Sequence, residues 1–423
     1  MPKLSRNFKN LKQKINTEEM VDKISSDIDR KLEADGVDTS RVSAKNAKRA
    51  YVVGICAIAL CIAILLSMLL IFGKDIGPMN VYYFFREVSL MGRIGEGERE
   101  QISYSQPTRN QSFAEFKRGF IVASDREVQV FNKAGYETLI EQPGYSNPMI
   151  ATSKNTFVVY DLGGRGFTLY NTFEDIYSEN REYPISAADM AADGCFAVAG
   201  KSERHNTEIV FYDDEGRREF SYKRGDLTVD CEYNEKGNHL ALLTLDADSG
   251  QYIYTLTVIN TKNGEVVSNV EERGDAPYGC YYLGNDRIAV TSDSSLVIYN
   301  NKCEETGRYE YPNGKLYRIS VTDKNIALLF TDDSVNMQNT LYIVDSKGKL
   351  EREIRIEGEF SDMAVSNKHA YFAAEDGVYR LELSSGELEF ATVEGVDGKI
   401  VILDNNRVML ARPNTSYIVT SFS

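Results

Sequence analysis

Tryptophan is absent, proline is scarce at 9 residues, and histidine occurs only three times. The shortages close off several chemistries. His205, His239 and His369 lie in different sequence units and out of ligand spacing, so a histidine-based metal or acid–base centre has no cluster to build on. The six cysteines contain no Cys-x-x-Cys pair, which removes zinc-ribbon and thioredoxin-like centres. There is no glycine-rich strand-to-helix phosphate loop and no Gly-x-Ser-x-Gly elbow. Basic residues number 48 against 63 acidic ones, and a net charge of −15 argues against nucleic acid as a partner. Neither a catalytic residue, a metal nor a cofactor is expected.

What is present is a foldable chain with a sharp internal division. Hydrophobic residues at 42% and charged residues at 26% rule out wholesale disorder. A length of 423 residues exceeds one ordinary core, leaving several domains or one large repeat architecture. Residues 1–50 carry a net +4 and the remainder −19. Between them Tyr51–Phe72 holds no charge in 22 residues. As a helix it would be about 33 Å long, enough for a hydrocarbon core of about 30 Å. Lys45, Lys48 and Arg49 crowd its N-terminal end, so residues 1–50 are expected in the cytoplasm and residues 74–423 outside. Ile55 and Leu60 precede Cys56 and Cys61, where a lipid-modified cysteine wants a small residue. The expected domains are a cytoplasmic segment 1–50, a transmembrane helix 51–72, a juxtamembrane linker and leading strand 73–99, and an extracytoplasmic domain 100–423.

Within residues 1–50, Phe8, Leu11 and Ile15, then Val21, Ile24, Ile28 and Leu32, recur three or four apart, an amphipathic helical stripe. Asn16 and Glu19 form a capping pair, and Gly36 follows the stripe. Such a helix could lie on the anionic leaflet, dock a cytoplasmic partner, or serve only as a solvated tether.

The outer region is all β in pattern and repetitive. One unit, an apolar strand, a polar turn with glycine and then a polar strand, recurs as VQVFNKAGYE, EIVFYDDEGRRE, LTVINTKNGEV, LVIYNNKCEET, LYIVDSKGKLE and VYRLELSSGEL. Its turns start at Asn132, Asn171, Asp213, Asn260, Asn300, Asp345 and Leu383. A second, wholly apolar run precedes each turn, as in TFVVYDL, CFAVAGK and RIAVTSD, and must be covered on both faces. A third strand lies upstream, aligned at Met190, Cys231, Cys280, Ile319 and Met363. Four strands per period of about 42 residues is one β-propeller blade. Eight units are expected, with seven as the alternative if one weak unit is not a blade. The last unit has three strands, and Glu100–Ser105 is placed to supply its fourth and close the ring.

These repeats, with the segment Val81–Leu90 (VYYFFREVSL), resemble a family of single-pass membrane proteins from Gram-positive anaerobes, domain of unknown function 5711. The resemblance implies an external WD40-like or quinoprotein-like propeller and carries no known activity. The missing tryptophan argues against blades built on a tryptophan-docking motif.

Acid recurs in the loop joining second and third strands: Asp125, Asp161, Glu203, Asp246 with Asp248, Asp293, Asp332 with Asp333, and Glu375 with Asp376. In a propeller these loops share one face, where the acids would favour a cationic ligand or partner; plain turn chemistry is the other reading. Cys231 and Cys280 read as small core positions, with a disulfide between them as the alternative. LDADSG (Leu245–Gly250) resembles the start of a calcium loop but lacks the later glutamate. The expected function is a membrane-tethered binding or scaffold module at the cell envelope, held in the bilayer by Tyr51–Phe72 and engaging envelope proteins. The rivals are a carbohydrate- or peptide-sensing receptor that signals through residues 1–50, and an enzyme with a site on an axial face.

Overall fold

The computed structural model describes residues 100–423, apart from 105–109, 313–314, 333–337 and 394–397, together with Ser26, Arg30 and six residues between Val53 and Ile62. Those isolated residues are helical. Most of Tyr51–Phe72 and of the amphipathic stripe, and all of 73–99, fall outside the described residues. Among the described residues no helix is long and apolar enough to cross a membrane. The chain divides into two units, Met1–Arg93 and Ile94–Ser423.

The second unit is an eight-bladed β-propeller of four-stranded antiparallel blades. Seven blades take four consecutive strands each. Their innermost strands are β2 (Gln111–Phe116), β6 (Pro148–Thr152), β10 (Ile185–Met190), β14 (Leu227–Tyr233), β18 (Pro277–Leu283), β22 (Lys315–Val321) and β26 (Asp362–Val365). The eighth blade is β30 (Lys399–Ile402), β31 (Val408–Ala411), β32 (Thr415–Val419) and, from the other end of the domain, β1 (Gln101–Ser103). Ile102 pairs with Ser416, and Ile102 and Tyr104 are buried against Phe131, Met409 and Ile418. The expected closing strand is therefore in place, and it removes the edge that β32 would otherwise present.

The wholly apolar second strands are explained by the packing. In β11 (Phe196–Gly200), Phe196 and Val198 pack on blade 2 while Ala197 and Ala199 pack on blade 4. In β27 (His369–Ala374), Ala370 and Phe372 face blade 6 while Tyr371 and Ala373 face blade 8. A strand sandwiched between two sheets has no polar face to show, so its pattern is continuous rather than alternating. Eight such inter-blade clusters follow one another around the ring.

The outer turns work as the sequence suggests. The Asn132 side chain accepts the N–H groups of Ala134 and Tyr136, and Asn300 accepts those of Lys302 and Glu304. Asp213 and Asp345 do the same two and four residues on. The seventh turn starts one residue earlier than expected, at Glu382, whose N–H and C=O make the bonds that Asn260 makes in blade 4. LDADSG is hairpin rather than metal loop. It belongs to β15 (His239–Asp248), which turns through Ser249 and Gly250, at φ 52° and 80°, directly into β16 (Gln251–Asn260). The thiols of Cys231 and Cys280 are free and buried, so no disulfide joins them.

Candidate functional site: the axial mouth

Each innermost strand is the edge of its own sheet, with backbone groups that its sheet does not pair. The chain satisfies several of them with a side chain from the preceding blade. Asp189 on β10 accepts the N–H of Tyr233 at 2.7 Å. Asp230 on β14 accepts Cys280 N–H at 3.1 Å with one oxygen and its neighbour Cys231 N–H at 2.9 Å with the other. Arg318 on β22 pairs with Asp362 at 3.2 Å and donates to the Ser361 carbonyl. Asp362 in turn accepts Ile400 N–H at 2.9 Å, and Lys399 donates to the Gln111 carbonyl at 3.3 Å. In blade 5 the same position is Gly279, where a Cβ would stand 3.0 Å from Asp230 Oδ2 and 3.1 Å from the Tyr281 hydroxyl. The glycine makes room for the carboxylate of blade 4.

A further acid, Glu232, lies two residues after Asp230 on β14, and it forms one interacting group with Asp189 and Asp230. All are half-buried, open only in part to solvent. Loss of hydration pushes each carboxyl up, Asp230 to about 6, against the lowering effect of the N–H donors. Asp189 and Glu232 are raised further by each other or by Asp230. Among the described residues no group of three His, Cys, Asp or Glu side chains is placed to hold a metal ion.

The ring is not uniform. Inner strands β10, β14, β18 and β22 each carry a one-residue bulge, at Ser186, Val229, Tyr278 and Tyr317. A bulge re-aims its side chain. Tyr278 is 55% exposed and Tyr317 37%, with the Arg318 guanidinium 4.2 Å from the Tyr317 ring centre. Leu227 at the start of β14 and Tyr252 at the start of β16 are also exposed. All four sit at the strand ends beside the hairpins that join second and third strands. At the opposite end β18 and β22 stand apart around a cavity of about 460 Å³ lined by Glu232, Tyr281, Tyr282 and Val321.

Every described acid of the expected ring does lie at a second-to-third-strand hairpin, and so on one face. Their surroundings differ. Asp125, Glu203 and Asp293 are exposed. Asp161 accepts Asn147 N–H at 2.7 Å, Asp246 accepts Ala247 N–H, and Asp376 accepts the Tyr379 hydroxyl. Asp248 lies 3.6 Å from Arg273. Glu375 makes the hairpin with Asp376; Asp332 ends β23 (Asn325–Asp332), and Asp333 lies outside the described residues. Sequence reasoning missed the inner acids, although ADM, VDC and SDM each place Asp directly before the aligned core residue. It also missed the bulged tyrosines, which a period-two pattern hides.

Structural relatives show the same architecture. Sqt1 of Saccharomyces cerevisiae superposes with a TM-score of 0.59 at 10% identity, covering 77% of this chain and 100% of that one. The C-terminal WD40 domain of Sif2 gives 0.55 at 12% identity, covering 77% and 99%. These likenesses concern the fold alone. Among curated proteins, none matches the chain by sequence. A family profile matches residues 97–419, and the chain therefore belongs to the family of unknown function DUF5711.

Proposed function

We propose that this protein is a membrane-tethered, extracytoplasmic propeller that binds a protein partner on the face carrying the second-to-third-strand hairpins. The observation that carries the reading is the exposed group Leu227, Tyr252, Tyr278 and Tyr317 on that face of blades 4 to 6. Tyrosine offers a large, rigid, amphipathic contact and is enriched where interfaces are strongest. Asp246, Asp248 and Asp293 stand at the hairpins of the same blades, so a partner segment with lysine or arginine would meet both ring faces and carboxylates. The charge-free Tyr51–Phe72, with Lys45, Lys48 and Arg49 before it, supports the tether and its orientation. WD40-like neighbours support a binding or scaffold role.

The test is partner recovery from envelope extracts with wild type and with Asp125, Asp246 and Asp293 all changed to Asn. Asn keeps the turn chemistry, so folding should be unaffected. Recovery should fall in the variant and with added salt, because exposed charges are screened over about 8 Å at physiological ionic strength. Equal recovery at every salt concentration would reduce these acids to turn residues.

A further inference from the structure

A cavity of about 440 Å³ lies between blades 2 and 3, away from the tyrosine group. Its inner wall carries an unusual balance of charge. Arg181 follows β9 (Asp175–Asn180), and its side chain is only 7% exposed. It donates to the carbonyls of Val198 at 3.2 Å and Glu208 at 3.4 Å, and the nearest carboxylate oxygen, on Glu208, is 3.9 Å away. That same carboxylate also serves Arg218 at 3.2 Å and Lys223 at 3.3 Å. Glu179, the other acid of the wall, accepts the hydroxyls of Tyr177 and Tyr212. Three cations thus face two carboxylates, and only one of those carboxylates contacts them. A buried guanidinium normally keeps a close, bidentate anion. In the same lining the Ser202 hydroxyl is buried with no hydrogen-bond partner, a rare condition for a buried polar group.

We infer that this cavity binds a small hydroxylated carboxylate of the sugar-acid type. One carboxylate against Arg181, Arg218 and Lys223 would complete the inner wall, and Ser202 would gain an acceptor. The outer lining offers Glu182 and Glu203 as acceptors, Lys201 and Arg204 as donors, and the Tyr183 ring. That mixture suits hydroxyl groups, which both give and accept hydrogen bonds, better than it suits a bare inorganic anion. The volume is that of a small-molecule site. The cavity opens beside the hairpin face at Glu203 but includes none of the tyrosine group and none of Asp125, Asp246 and Asp293, so either reading can fail alone.

The experiment is titration calorimetry of the purified full-length chain with D-galacturonate, D-galactose and inorganic phosphate. Galacturonate should bind saturably at one site per chain. Galactose, lacking the carboxylate, and phosphate, lacking the hydroxyl ring, should each bind at least about tenfold more weakly. Arg218→Gln and Lys223→Gln alter side chains that are 54% and 45% exposed, so both variants should fold. Each should weaken galacturonate about tenfold, and Ser202→Ala, which breaks no bond in the free protein, should weaken it measurably. Absence of saturable galacturonate binding would overturn the proposal, as would equal affinity for phosphate or unchanged affinity in all three variants.

Discussion

Raising the pH from 5 to 8 should destabilise the propeller, and Asp230 should be a main cause. In the unfolded chain this carboxyl ionises near pH 4; in the fold it ionises at about 6. Between those values the folded state holds the proton more firmly, so its contribution to stability is present at low pH and lost as pH rises through 6. A shift of about two units corresponds to a ceiling of about 3 kcal/mol. About half of that ceiling has already been lost by pH 5, and Asp230 is partly open to solvent, so the loss expected between pH 5 and 8 is about 0.5–1 kcal/mol. Asp189 and Glu232 are raised in the same direction, and because the group titrates together their effects do not simply add. The assay is the urea midpoint by far-ultraviolet circular dichroism at pH 5, 6, 7 and 8, for wild type and Asp230→Asn. The variant should be weaker at pH 5, since an amide offers one oxygen where Cys231 and Cys280 N–H groups use two. The diagnostic is the slope: the wild-type midpoint should fall from pH 5 to 8 and that of the variant should fall less. A flat or rising wild-type profile, or equal slopes, would refute the reasoning.

Two further outcomes follow from the packing. A chain beginning at Phe113 loses β1 and the first two residues of β2, with burial of Ile102 and Tyr104 at about 2 kcal/mol each and a short ladder at about 1 kcal/mol per bond, so it should melt more than about 10 °C below a chain beginning at Val81; equal melting temperatures would refute closure by that strand. Asn300→Ala removes the acceptor of two turn N–H groups and should cost about 1 kcal/mol by urea denaturation, whereas Asn300→Asp should cost much less; equal losses would show that the side chain is not what holds the turn.

The blade plan was legible because each level of the repeat has its own chemical mark. Asn or Asp begins most outer turns, and a doubly covered strand such as CFAVAGK has no polar alternation. EQISYS was legible as the closing strand because the last unit stops one strand short. The seventh turn was misplaced because Glu382 does not carry the Asn or Asp signature. The inner staples were hidden for a different reason. Asp189, Asp230 and Asp362 were aligned through their apolar neighbours, and only the geometry of adjacent blades shows what an acid there can reach. The Arg181 cavity was not legible, since its lining joins a loop of blade 2 to strands of blade 3, and charged residues there read as ordinary surface. Tyr278 and Tyr317 could not be assigned to the mouth, because a single inserted residue changes which way a strand presents its side chains.

The proposed docking of a protein partner on the face of the bulged tyrosines underlies the whole functional reading. It is tested most directly by placing a photocrosslinking amino acid at Tyr278, and separately at Lys262 in the outer turn of blade 4 at the opposite end of the strands, in the intact protein in its native cells. A discrete crosslinked protein is expected from position 278 and none from position 262. Crosslinking from 262 alone, or equally from both, would contradict it.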